Sequence, residues 1–101
     1  MAGSAAIALT ISLRGSNREQ SERISDQVMA ALLEIDSIED PSVLTNLDEQ
    51  RLEIEVIVSE VSDLAIAQQV GLSAIEHALH AAGLTVATEE RQRQSAELLP
   101  A

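Results

Sequence analysis

The sequence predicts an α+β fold: a four-stranded antiparallel sheet with two helices on one face, in the order strand, helix, strand, strand, helix, strand. Two runs, Ala5 to Leu13 and Arg51 to Ser59, alternate apolar and polar residues with a period of two, as a half-buried strand does. Two longer runs, from about Arg18 to Glu34 and from about Ser62 to Ala82, repeat apolar residues at helical spacing. Each strand-then-helix pair leads into a shorter apolar stretch, so the chain divides into two β-α-β halves.

In the first strand Ile7, Leu9, Ile11 and Leu13 point one way, and Ala8, Thr10, Ser12 and then Arg14 point the other. Gly15-Ser16-Asn17 breaks the alternation with turn-forming residues. Ile24, Val28, Ala31, Leu32 and Ile35 form the stripe of the first helix, Ser16 or Asn17 can cap it, and Glu19 and Glu22 suit its positive end. Asp36 to Pro41 reads as a polar connection, since Pro41 cannot continue a helix. Val43 to Leu47 is expected as a short edge strand, joined through Asp48-Glu49-Gln50 to the strand at Arg51 to Ser59, where Leu52, Ile54, Val56 and Val58 face the core. A turn without glycine points to a loop longer than a two-residue hairpin.

The second helix has Ser62 or Asp63 as its cap and Gly83 as the left-handed residue that ends it. Its stripe, Leu64, Ala67, Gly71, Ala74, Ile75, Ala78 and Ala82, consists mostly of small residues, which allow close approach to a sheet. Leu84 to Thr88 is expected as the last strand, with Leu84 and Val86 facing in. The expected organisation is an N-terminal extension over residues 1–4, one domain over 5–89, and a polar, flexible tail over 90–101. The layout resembles the ferredoxin-like sandwich, a βαββαβ superfold with spatial strand order 4-1-3-2. That resemblance implies a fold and not a function.

The composition narrows the functions. The 101 residues contain no Phe, Trp or Tyr, so the core is aliphatic and no ring is available to stack on a base. All six cationic residues are arginine, set against seventeen carboxylates, for a net charge of −11. Such a surface repels nucleic acid and anionic lipid. Without cysteine there is no disulfide, thiolate metal site or cysteine nucleophile. No apolar run approaches the roughly 20 residues of a membrane span, and a cytoplasmic protein without membrane or nucleic-acid partners is expected.

Four features are candidates for function. The open sheet face is expected to carry Thr10, Ser12, Arg14, Glu53, Glu55 and Ile57, with Thr85 and Ala87 from the last strand; its plain reading is a solvated surface with cross-strand ion pairs. The loop Arg14, Gly15, Ser16, Asn17, Arg18 leads into a helix N-terminus, where free backbone N–H groups favour anions. It resembles the ligand loop of ACT-like sensing domains in layout, without their usual Asp-Arg-Pro-Gly turn. His77 and His80 share a helix face at i and i+3; two ligands do not make a metal site. Met29, Leu33, Ile66, Val70, Leu72 and Leu79 widen the apolar arcs of the helices and are the expected interface residues.

No nucleophile motif is present, no catalytic residue is assigned and no cofactor is expected; Glu53 and Glu55 lie on an open face that offers no pocket to tune a carboxyl. The sequence therefore points to a non-enzymatic protein-interaction or self-assembling module, a homodimer or other homo-oligomer, that partners itself or another protein. The alternative is a domain of ACT-like layout sensing an amino acid or other small anionic ligand.

Overall fold

The computed structural model describes residues 3–13, 17–46, 48–84 and 91–99, with the backbone alone at 91–94 and 98. The elements are β1 (Gly3–Ser12), α1 (Arg18–Leu33), β2 (Glu39–Asn46), β3 (Arg51–Val61), α2 (Leu64–Ala81) and β4 (Arg91–Leu99). The sheet is antiparallel throughout, in the order β2-β3-β1-β4. This is the expected ferredoxin-like arrangement, with β1 and β3 inside and β2 at one edge.

Alternation decides which side of the sheet is covered. Ala5, Ile7, Leu9 and Ile11 of β1 and Leu52, Ile54, Val56 and Val58 of β3 are buried beneath the helices. Val28 and Leu32 of α1 and Ala67, Ala74, Ile75, Ala78 and Leu79 of α2 close the core from above. With no rings to fill space, the small residues of α2 bring it down onto the sheet. At Gly71 a Cβ would lie 2.6 Å from Ile7 Cβ, so only glycine fits there.

The helix ends follow from local chemistry. Asn17 caps α1 by accepting from the Gln20 N–H at 2.8 Å, while its own N–H donates to Gln20 Oε1 at 3.1 Å. Asp63 caps α2 by accepting from the Ala65 N–H at 2.8 Å. Gly83, at φ +82°, ends α2, and the N–H groups of Gly83 and Leu84 donate to the carbonyls of His80 and Leu79. The β2–β3 hairpin closes without glycine: the Glu49 N–H donates to Asn46 Oδ1 at 3.1 Å, and Gln50 takes the left-handed conformation at φ 52°.

Two strands differ from expectation. β2 begins at Glu39 rather than Val43 and includes Pro41, which an edge strand tolerates because one side has no ladder to complete. The last strand is not at Leu84 to Thr88. Leu84 packs against the core just after the α2 cap, Thr85 to Thr88 lie outside the described residues, and β4 falls at Arg91–Leu99. The segment expected to be a flexible tail thus pairs along β1, from Ser4 opposite Leu99 to Thr10 opposite Arg93. The physical reason is its place at the other edge of the sheet. Ladder hydrogen bonds to β1 hold it, and among the side chains described there, Ala96 packs against the core while Ser95 and Glu97 are exposed. Such a strand shows little apolar alternation.

Candidate functional site

The uncovered face of the sheet is built from register. Residues directly opposite in an antiparallel pair lie on the same face. Leu44 stands opposite Glu53, Glu53 opposite Thr10, and Thr10 opposite Arg93. In the next row Ser42 stands opposite Glu55, Glu55 opposite Ala8, and Ala8 opposite Ser95. Each row crosses all four strands, a width of about 14 Å at the usual strand spacing.

Side-chain length then shapes the surface. Ala8, Thr10, Ser42 and Ser95 are short, whereas Glu53, Glu55 and Leu44 are long. The result is a hollow of about 340 Å³ lined by Ala8, Thr10, Ser42, Leu44, Glu53, Ile54, Glu55 and Ser95. Its volume lies at the lower end of the range for small-molecule clefts. Three features give it chemistry. Thr10 is only 8% exposed although it lies on the uncovered face, and its hydroxyl has no hydrogen-bond partner among the described residues. Glu53 and Glu55 are exposed and have no ion-pair partner among the described residues. Leu44, 62% exposed, places an apolar side chain at the rim.

A second hollow, of about 550 Å³, lies where the end of α1 and the connection to β2 meet α2. Ile35, Val70 and Ala74 supply its apolar lining and Ser37, Gln69, Ser73 and His77 its polar groups. It is more open than the first, and its polar side chains stand on exposed positions.

The residues singled out in the sequence are distributed as follows. Arg14, Gly15 and Ser16 lie outside the described residues, as do Thr85 and Ala87. Asn17 is engaged as the α1 cap, and Arg18 pairs with Glu22 at 3.2 Å, so both described members of the expected anion loop serve the helix. His77 and His80 are exposed on α2, and no group of three metal-ligating side chains forms among the described residues. Of the expected interface residues, Leu33 and Ile66 are 68% and 56% exposed and Met29 is half-buried. Val70 and Leu72 pack against the core, and Leu79, 2% exposed, belongs to it and offers nothing to a second chain. α2 buries this residue because its small-residue stripe lets the helix pack closely against both the sheet and α1 beside it.

Thr10, Glu53 and Glu55 were visible in the sequence as residues of one face. Ala8, Ser42, Leu44 and Ser95 were not visible as parts of a site, because β2 and β4 are edge strands whose true limits are set by pairing. Extending the β2 alternation back through Pro41 is the signal that places Ser42 and Leu44 beside Glu55 and Glu53.

No protein-family model and no curated protein matches the sequence. Among solved structures, the chain is similar to the crystal structure of a presumed antibiotic biosynthesis monooxygenase from Bordetella bronchiseptica, with a TM-score of 0.55 and 10% identity over 98% of this chain and 97% of that one. At this identity the likeness establishes the fold. It also corrects the expectation of a non-enzymatic interaction or self-assembling module: a chain alike over almost its whole length is named as a monooxygenase of antibiotic biosynthesis.

Proposed function

We propose that this chain is a small-molecule-binding domain whose ligand occupies the hollow on the open face of the sheet. The observation that carries this reading is Thr10. Thr10 is only 8% exposed, yet its hydroxyl has no partner among the described residues and is open to the hollow, where a ligand's hydrogen bond can reach it. It sits in the middle of a concave surface with hydroxyls from Ser42 and Ser95, carboxylates from Glu53 and Glu55, and the apolar surface of Ala8 and Leu44. A few placed polar groups in a partly apolar hollow are the usual make-up of a small-ligand site.

The test is a fragment screen followed by Thr10→Val, which keeps the shape and removes the hydroxyl. A ligand that uses the hydroxyl should lose about three- to tenfold in affinity, the worth of a neutral hydrogen bond. In the ligand-free protein the same substitution should change stability by no more than about 0.5 kcal/mol, because the hydroxyl it removes is open to water. Unchanged affinity for every hit would remove Thr10 from the site.

The name of the solved neighbour favours a second reading, that the bound molecule is also transformed. Incubating each hit with the protein in air and following its mass over hours tests this directly; a product that requires the protein supports catalysis.

A further inference from the structure

We draw no further inference here: the strongest candidate, the second hollow where the end of α1 and the connection to β2 meet α2, is an open surface with an apolar lining of Ile35, Val70 and Ala74, and nothing in the structure shows what covers it.

Discussion

Replacing Gly71 by alanine tests how α2 meets the sheet. A Cβ at this position would lie 2.6 Å from both Cβ and Cγ1 of Ile7 and 2.8 Å from its Cγ2. Ile7 is fully buried on β1, an interior strand, and its Cβ is fixed to the backbone, so no rotamer change relieves the contact. Helix and sheet must move apart by several tenths of an ångström along their shared packing surface. Overpacking of this kind costs about 1–3 kcal/mol, and a clash with a fixed atom belongs at the upper end. Alanine returns about 1 kcal/mol through its higher helix propensity. The net expectation is a loss of about 2 kcal/mol, or roughly 8–16 °C in melting temperature for a domain of this size. Because the chain has no aromatic residue, unfolding is best followed by far-UV circular dichroism in urea and on heating. Gly3→Ala is the control, since a Cβ there meets nothing within 4 Å. A Gly71→Ala protein as stable as the parent would refute the close approach, and with it the explanation of how an aliphatic core closes without rings.

Other expectations concern the frame that holds the hollow. Gly83→Ala should cost about 1 kcal/mol in urea denaturation, entirely from the left-handed backbone, because there is open space for the new Cβ. Asn17→Ala removes both halves of the capping box and should cost about 1 kcal/mol; an equal loss is expected from no residue of the exposed α1 face. Truncation after Glu90 deletes β4 and bares the ladder edge of β1, so the shortened chain should lose its cooperative thermal transition. A sharp transition near that of the full chain would instead show that residues 91–101 are dispensable to the fold.

The β-α-β halves were legible because their apolar periodicities are long and unambiguous. β1 and β3 alternate over eight residues or more, and the helices carry stripes ended by Asn17, Asp63 and Gly83. β4 was not legible, because Arg-Gln-Arg-Gln-Ser-Ala-Glu-Leu-Leu has little apolar period and is held by its ladder with β1. The Leu84 stretch that resembled a strand instead packs Leu84 onto the core after the helix. For the site, Thr10, Glu53 and Glu55 could be assigned to one face from alternation, but the concavity depends on which short residues lie opposite them. That is a property of register between strands far apart in sequence. Burial of Leu79 was likewise hidden: an apolar arc wide enough to suggest a second chain is filled within this one, since the small residues of α2 let it pack closely against both the sheet and α1 beside it.

The central claim is that the open sheet face binds a small molecule. The most direct measurement is an amide-resolved NMR map of the full chain with the tightest hit from a fragment screen. The account predicts saturable shifts centred on Ala8, Thr10, Glu53, Glu55 and Ser95, spanning β3, β1 and β4 together, and lost in Thr10→Val at the same ligand concentration. Saturable shifts confined to Ser37, Gln69, Ser73 and His77, with the sheet face unmoved, would contradict it.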